Sequence, residues 1–372
     1  MKTRSKFLTS ILALVLFAPA VFADSSDKEK ILKAPKFPKK AIWINTEKPL
    51  NNKIYSKAEL TLVYFWDYSS INCIREIDIV KAWASTYESQ GLQTIWIHSP
   101  EFEYSKRTSN VERASQRLKI PFPIMLDNDY TIWDGFKTRS WPSKFLVNKK
   151  GEVVYSQVGE EGYYDFEKEI RGILQGTRPN LKPELPLFEI EPTKFDIENC
   201  GPMIAETYLG AKRATWWGGE IANRQWFGPN QTVHFKDRGN RVERGFFASG
   251  LWINRDDYVE HARQTKELTD YIGITYVANE VYAVMHRVAN SPTARIYVTR
   301  DDKPVPQVLR GKDILEDEKG ATYFVLEDSR LYYLIEKEDF EQHELRLWMT
   351  EKGSSISTFS FSNECLSQFD HL

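Results

Sequence analysis

Residues 60–80 read LTLVYFWDYSSINCIREIDIV, and this stretch joins a strand pattern directly to a helix pattern. Leu60–Trp66 is a continuous apolar run of β-branched and aromatic residues, which is typical of a strand buried on both faces. Apolar residues then recur at steps of three and four, which predicts an amphipathic helix; they are Ile71, Ile74, Ile77, Val80, Ala84 and Tyr87. Cys73 lies within the first turn of that helix, where the helix dipole favours a thiolate.

The alternation of strand and helix patterns continues as far as residue 178. Further strand patterns lie at 92–98, 124–126, 144–148 and 153–155, and further helix patterns lie at 110–118 and 165–174. The order is strand, helix, strand, helix, strand, strand, strand, helix. It predicts an α/β domain of mixed strand directions over residues 41–178.

A proline-rich segment separates this domain from a second one. Residues 179–196 include Pro179, Pro183, Pro186 and Pro192, which predicts an extended, semi-rigid linker. Residues 197–372 then contain short segments of alternating polarity, at 280–288, 294–299, 331–336, 345–350 and 355–362. Such segments, divided by turn residues, predict an all-β sandwich.

The amino terminus has the features of a cleavable signal peptide. Residues 1–23 combine Lys2, Arg4 and Lys6 with an apolar core and end in the small-residue pattern of 21–23. An uncleaved membrane anchor is the alternative, but the apolar run is short for a hydrocarbon core of roughly 30 Å. We therefore expect a flexible lead over 24–40 and a periplasmic or secreted protein with no transmembrane span after cleavage.

Composition restricts the partners and cofactors. The chain has 372 residues, with 50 Lys plus Arg against 52 Asp plus Glu, so it lacks the basic footprint of a nucleic-acid-binding protein. Its six histidines show no metal-ligand spacing, and no cofactor motif is present. His98, at the end of a strand pattern, is best read as a structural histidine rather than a base.

The segment Phe65-Trp66-Asp67-Tyr68-Ser69-Ser70-Ile71-Asn72-Cys73 resembles the redox site of the DipZ-type extracytoplasmic thioredoxin-like family, which is related to TlpA-like and ResA-like proteins. That family reads Phe-Trp-x-Tyr-Ser-Cys-Ile-Asn-Cys. The resemblance continues in order at 98–102, 110–114, 127–133, 141–142, 206–213 and 330–332. It implies an α/β thioredoxin fold followed by a jelly-roll-like β-sandwich domain similar to a carbohydrate-binding module. It also implies a family role in thiol–disulfide exchange in the cell envelope.

One departure from the family pattern alters the expected chemistry. The first cysteine of the family motif is Ser70 here, and a serine hydroxyl without an activating base cannot replace an attacking thiolate. Ser70 also suits an ordinary helix N-cap. Cys73 matches the resolving thiol; we favour a buried, inert thiol over a one-thiol redox site. Dithiol catalysis is therefore expected to be impaired.

Other site residues follow from the same resemblance. Tyr64 stands where thioredoxins carry an acid, whereas Glu76 matches an acid of the TlpA-like and ResA-like proteins and could accept a proton. Trp141 and Pro142 match a cis-proline loop that binds peptide backbone; a rigid turn is the alternative reading. The residues expected to line the site are Trp66, Tyr68, Ile71, Asn72, Glu101, Trp141 and Pro142.

The remaining cysteines bracket the second domain. In an oxidising compartment Cys200 and Cys365 are predicted to form a structural disulfide, with two free thiols as the alternative. Exposed aromatic residues of that domain could stack on sugars, although core packing is the favoured reading; they are Trp216, Trp217, Trp226, Phe227 and Tyr258.

The sequence thus predicts an envelope thioredoxin-like protein that binds a protein or peptide client, including one that offers a thiol or disulfide. Two other functions stay open. One is an active monothiol oxidoreductase that uses Cys73, and the other is glycan binding by the C-terminal domain.

Overall fold

The computed structural model describes residues 32–160, 162–180, 186–187, 201, 203–217, 220–223, 225, 227–242, 245–288, 291 and 293–363. The predicted signal peptide, Cys200, Cys365 and Trp226 lie outside the described residues, as do the side chains of Trp216 and Trp217. The predicted disulfide and most of the predicted linker therefore stay predictions.

The N-terminal domain alternates strands with helices. Its elements are β1 (Ile42–Ile44), β2 (Leu60–Trp66), α1 (Ile71–Tyr87), β3 (Leu92–His98), α2 (Thr108–Arg117), β4 (Ile124–Leu126), α3 (Thr131–Phe136), β5 (Ser143–Asn148), β6 (Val153–Val158) and α4 (Tyr163–Thr177).

These strands form one six-stranded sheet in the order β1-β4-β3-β2-β5-β6. Strand β2 lies inside the sheet, parallel to β3 and antiparallel to β5. Every residue of β2 is buried, as expected for a continuous apolar run covered on both faces. The carboxyl end of β2 leads within four residues to α1, so this central strand positions the start of that helix.

Residues 32–40 differ from the predicted flexible lead, because they contact the sheet. The amide of Val153 donates to the carbonyl of Leu32 at 2.8 Å, and the amide of Ala34 donates to the carbonyl of Gly151 at 2.9 Å. Phe37 is 8% exposed and packs in an apolar cluster under β5. These contacts satisfy part of the hydrogen-bonding edge of the β5–β6 hairpin and bury an aromatic ring, which fixes the segment.

The C-terminal domain is built almost entirely of strands. Its elements are β7 (Thr207–Tyr208), α5 (Ala211–Trp217), β8 (Glu220–Ile221), β9 (Thr232–Phe235), β10 (Gly245–Asn254), β11 (Val259–His261), β12 (Asp270–Tyr276), β13 (Glu280–Arg287), β14 (Ala294–Arg300), β15 (Lys303–Pro304), β16 (Leu315–Glu316), β17 (Thr322–Leu326), β18 (Arg330–Ile335), β19 (His343–Met349) and β20 (Ser354–Ser362).

Strand β10 joins the two layers of the predicted sandwich. Residues 246–249 pair with β12, whereas residues 250–254 pair with β9 and β11. Between the two halves lies Gly250, whose φ of +97° and close approach to Asp270 exclude a side chain. The main path runs β16-β17-β14-β19-β12 on one side of β10 and β11-β20-β13-β18 on the other.

Strand β13 is buried on both faces, although the alternating sequence predicts a half-buried strand. Val281, Ala283 and Met285 point into the sandwich core, while Tyr282 and Val284 join the core cluster of the N-terminal domain. Leu331 of β18 joins that cluster as well. The outer face of β13 and β18 is therefore covered by the N-terminal domain, which also contributes Cys73 to the shared cluster.

Candidate functional site

Cys73 lies in the first turn of α1 and has no exposed surface. The Asp67 amide donates to its sulfur at 3.5 Å. Burial raises the pKa of the Cys73 thiol well above its usual range, although hydrogen bonds from the Asp67 amide and the Ser70 hydroxyl oppose the rise. The thiol is therefore protonated at neutral pH, which removes its nucleophilic form.

Ser70 occupies the N-cap position of α1 and is partly exposed. Its side chain makes no capping hydrogen bond, which differs from an ordinary serine N-cap. Its hydroxyl instead faces the Cys73 sulfur. A side chain at position 70 thus lies between solvent and the buried thiol.

A buried ion pair lies beside this pair of residues. Glu76, one helical turn after Cys73, pairs with Lys144 of β5, and both side chains are fully buried. Burial raises the pKa of Glu76 to about 7, and the charge of Lys144 opposes that rise. Glu76 can therefore hold or release a proton near neutral pH.

Lys144 is the site residue that the sequence analysis missed. It lies opposite Tyr64 in the β2–β5 register, and its ammonium donates to the Gly159 carbonyl at 3.2 Å. The ammonium also lies 5.3 Å from the centroid of the Tyr163 ring. A lysine directly before the apolar residues 145–147 of a buried strand was the available signal, because buried lysines almost always have a partner.

Tyr64 takes the place of the acid that thioredoxins carry on this strand, and it is fully buried. Its hydroxyl donates to the carbonyl of Cys73 at 3.3 Å, so it holds the first turn of α1 against the sheet. Burial raises the pKa of Tyr64 well above its usual range, which keeps the phenol neutral. Tyr64 therefore positions the first turn of α1 and does not replace the acid as a proton acceptor.

Asp67 connects the Cys73 turn to the loop after β3. Its carboxylate accepts hydrogen bonds from the Ser69 amide at 2.7 Å and from the Glu101 amide at 2.8 Å. His98 Nε2 lies 3.5 Å from the same carboxylate, and burial lowers the pKa of His98, so the ring is neutral. Tyr68 stacks on that ring at a centroid distance of 5.4 Å. His98 is therefore packed in the core, where its ring has no access to a substrate and cannot act as a base.

Glu101 meets the C-terminal domain. The Tyr208 hydroxyl lies 2.8 Å from a Glu101 oxygen and 2.9 Å from a Glu206 oxygen, and Arg213 donates to the Glu101 carbonyl. One hydroxyl has a single proton, so one of the two carboxyls must itself donate. Burial, followed by the charge of Glu206, raises the pKa of Glu101 to about 8. Of the two carboxyl groups that contact the Tyr208 hydroxyl, the one of Glu101 is therefore protonated at neutral pH.

This protonation predicts a pH-dependent stability. A carboxyl whose pKa rises on folding, here from 4.5 to about 8, stabilises the fold fully at low pH and loses that contribution as pH rises. We expect Glu101→Gln to flatten the fall of the unfolding free energy between about pH 5 and pH 8, by up to about 1.4 kcal/mol per pH unit. Chemical denaturation at several pH values measures this slope.

Glu112→Gln is the matched control, because Glu112 is an exposed glutamate on α2. Equal slopes in the native protein and in both variants would contradict the assignment of a proton to Glu101.

Trp141 and Pro142 lie on the loop that precedes β5, and the peptide bond between them is cis. The indole N–H of Trp141 donates to the Ser99 carbonyl at 2.9 Å, and the ring lies 4.5 Å from that of Trp133. Trp141 stays partly exposed while Pro142 is buried.

The other residues predicted to line the site divide by exposure. Trp66, Tyr68 and Ile71 are buried, whereas Asn72 is partly exposed and accepts a hydrogen bond from Arg75 at 2.8 Å. Arg75 also forms an ion pair with Glu160 at 2.8 Å. The structure thus brings Ser70, Asn72 and Cys73 together at the start of α1, with Glu76 behind them.

The described aromatic candidates for sugar stacking are packed against other residues. Phe227 lies edge-on to Phe235 at 4.9 Å, and Tyr258 lies edge-on to His286 at 4.5 Å. Neither of these two described residues forms an open platform.

One group of potential metal ligands occurs among the described residues: Glu338, Asp339 and His343. Arg300 forms an ion pair with Glu338 and lies 2.9 Å from His343 Nε2, so a guanidinium contacts two of the three residues. The arrangement is an ion-pair network. Within the described part of the chain, no helix is long and apolar enough to cross a membrane.

Two family models match the chain. Residues 32–156 match the AhpC/TSA family, and residues 205–362 match the family described as thioredoxin like C-terminal domain.

Curated relatives and a solved structure are also similar to parts of this chain. Protein DipZ of Mycobacterium tuberculosis is 30% identical over 272 residues, 72% of this chain, and the chain spans 36% of that relative's length. Thiol-disulfide oxidoreductase YkuV of Bacillus subtilis is 26% identical over 135 residues, 36% of this chain and 89% of its own. The solution structure of a putative thioredoxin from Neisseria meningitidis aligns with 41% of this chain and 95% of its own, at 23% identity and a TM-score of 0.35.

The chain therefore combines a domain that is similar to thioredoxin-like proteins of the AhpC/TSA family with a β domain that is similar to the thioredoxin like C-terminal family.

Proposed function

We propose that this protein is an envelope member of the thioredoxin-like family that has lost dithiol catalysis and acts by binding a protein or peptide client. The observation that carries the proposal is the pair Ser70 and Cys73. The partly exposed position holds a hydroxyl, and the thiol that is present is fully buried with a raised pKa.

Dithiol exchange needs an accessible thiolate that attacks and a second thiol that resolves the mixed disulfide. Ser70 cannot attack, because among the described residues no base contacts its hydroxyl. Cys73 retains the position of a resolving thiol and the nearby proton acceptor Glu76, but it has no mixed disulfide to resolve.

The surface around the site supports a binding role. Ser70, Asn72 and Trp141 remain partly exposed around the turn, while their neighbours are rigidly packed. A partly exposed aromatic ring on a rigid scaffold suits recognition of an extended peptide. The signal-peptide pattern of residues 1–23 supports a periplasmic or secreted location for such a client.

Two other functions rest on weaker support. Monothiol exchange needs Cys73 to reach a substrate disulfide, and its sulfur is shielded by the Asp67 amide and the Ser70 hydroxyl. Glycan binding needs an open aromatic platform, and the described candidates Phe227 and Tyr258 are packed edge-on to other rings.

The test is reduction of insulin disulfides by the purified mature protein with dithiothreitol as electron donor. We expect no acceleration over dithiothreitol alone, and no difference between the native protein and Cys73→Ala. Peptide-resolved alkylation should label Cys73 in the folded protein at least about a hundredfold more slowly than in the unfolded protein, because a buried thiol reacts only on opening.

Turnover by the native protein that Cys73→Ala abolishes would overturn the proposal and show a monothiol enzyme. Rapid alkylation of Cys73 in the folded state would likewise contradict it.

A further inference from the structure

A polar cleft lies where α2 meets the β domain, and we call it the interdomain cleft. It has a volume of about 150 Å³ and is lined by three arginines with two serines and one acid: Arg107, Arg113, Arg287, Ser291, Ser329 and Glu327. Arg107 and Arg113 come from the thioredoxin-like domain, and the other four come from the β domain. Each domain thus supplies cations to one shared space.

Arg287 is held rigidly and keeps its full charge. Its guanidinium donates to the Ser291 carbonyl at 2.6 Å and to the Glu327 carbonyl at 2.9 Å. Both acceptors are neutral, so these bonds orient the group without neutralising it. An oriented guanidinium loses little freedom when it binds an anion.

The other two arginines differ in whether a carboxylate neutralises their positive charge. Arg113 pairs with Asp328 at 3.0 Å and donates to Asn110 at 2.6 Å, so it is both oriented and neutralised. Arg107 is exposed, and the described residues supply no hydrogen bond or ion pair to its side chain. The cleft therefore contains two uncompensated positive charges, against the single lining carboxylate of Glu327.

The start of α2 adds positive potential to this region, and the pKa of the nearby His286 responds to the charge of Arg107. Helix α2 begins directly after Arg107 and has no side-chain cap, so its first amides and its dipole add positive potential. His286 lies next to the cleft, and burial together with the charge of Arg107 lowers the pKa of His286 to about 3.

We propose that the interdomain cleft binds a phosphate group. A phosphate dianion matches the two uncompensated guanidinium groups in charge, and the hydroxyls of Ser291 and Ser329 supply further donors to a tetrahedral anion. The volume lies well below the roughly 300–1,000 Å³ of pockets that enclose a drug-sized ligand. The cleft therefore takes one charged group, with the remainder of any larger ligand outside it.

Because the two domains share the cleft, a bound phosphate links α2 to the end of β13. The proposal does not depend on the redox state of Cys73 or on a peptide client, so it stands or fails separately from the proposed function.

The experiment is calorimetric titration of the mature protein with inorganic phosphate, with sodium chloride added to hold ionic strength constant. We expect one site per chain, and about tenfold weaker binding in Arg107→Gln, because one charge-assisted contact is lost. Arg238→Gln is the matched control, since Arg238 is an exposed arginine of the β domain outside the cleft. It should leave the affinity unchanged.

A second arm distinguishes free phosphate from a lipid headgroup. Vesicles with phosphatidic acid are compared with vesicles of phosphatidylcholine alone, again with the native protein and both variants. A loss specific to Arg107→Gln in either arm supports the phosphate site and names its source. Absence of binding in both arms, or equal loss in Arg107→Gln and Arg238→Gln, overturns the proposal.

Discussion

We expect the Ser70→Cys variant to reduce insulin disulfides, whereas we expect the native protein not to. The substitution restores a thiol at the partly exposed N-cap position of α1, where the first amides of the helix stabilise a thiolate. The Ile74 amide donates to the Ser70 carbonyl at 3.0 Å, so residues 70 and 73 lie one turn apart on the same helix. The new thiol can then attack, and Cys73 can resolve.

The gain requires the proton acceptor as well as the thiol. Glu76 lies one turn beyond Cys73 and has a pKa raised to about 7, which suits it to accept the proton from a resolving thiol. We expect the initial rate of insulin precipitation to rise from background to at least about tenfold above it.

Two controls separate the chemistry from the fold. Ser70→Ala should stay at background, because it adds no thiol. Ser70→Cys/Cys73→Ser should form a mixed disulfide with substrate that accumulates rather than turns over. A folded Ser70→Cys variant that stays at background would show that the site has lost more than its first cysteine.

The sequence predicts the strands of the first domain most accurately where the chain is continuously apolar. The predicted bounds of β2 and β4 agree with the structure, since a run buried on both faces leaves a dense local signal. Those of β3 agree as well, although this strand includes Gln93 and Thr94. Helix α3 leaves almost no local signal in the sequence. It has six residues, and Tyr130 and Lys137 at its ends adopt a left-handed backbone that glycine or asparagine usually marks.

In the β domain, the sequence pattern predicts the strands but not what packs against them. Its alternating strands reveal a sandwich, but the alternation cannot show that a neighbouring domain covers the outer face of β13. Tyr282 and Val284 read as solvent-facing positions until the N-terminal domain packs on them. Likewise the need for glycine at position 250 of β10 depends on Asp270, which fills the space above Gly250 from the next strand in the sheet.

The candidate site also combines residues that a local motif reveals with a residue that only the fold brings into place. Local motifs identify Ser70, Cys73 and Glu76, because they are close in sequence. The partner of Glu76 is 68 residues away, on a strand that pairs with β2. Only the fold brings Lys144 and Glu76 together, and the consequence for stability is large.

Lys144→Met is expected to lower the free energy of unfolding by about 3–5 kcal/mol at about pH 8, because it leaves the carboxylate of Glu76 buried without a partner. The loss should be smaller at about pH 5. Glu76 is protonated there, and a neutral carboxyl in the core costs far less than a charged one. Chemical denaturation followed by tryptophan fluorescence at both pH values measures the two losses.

Lys149→Met is the matched control. Lys149 follows the same strand and pairs with Glu59 at 2.6 Å, but its side chain is half exposed. Surface ion pairs contribute at most about 1 kcal/mol, so this variant should stay within that range at both pH values.

The double variant Glu76→Leu/Lys144→Met distinguishes an ion-pair effect from poor packing of methionine. Removal of both charges leaves no buried ion unpaired, and two apolar side chains can fill the space beside Tyr163 and Phe166. We therefore expect the double variant to recover most of the stability that Lys144→Met loses. A double variant no more stable than Lys144→Met would show that the lysine stem, rather than its charge, stabilises this part of the core.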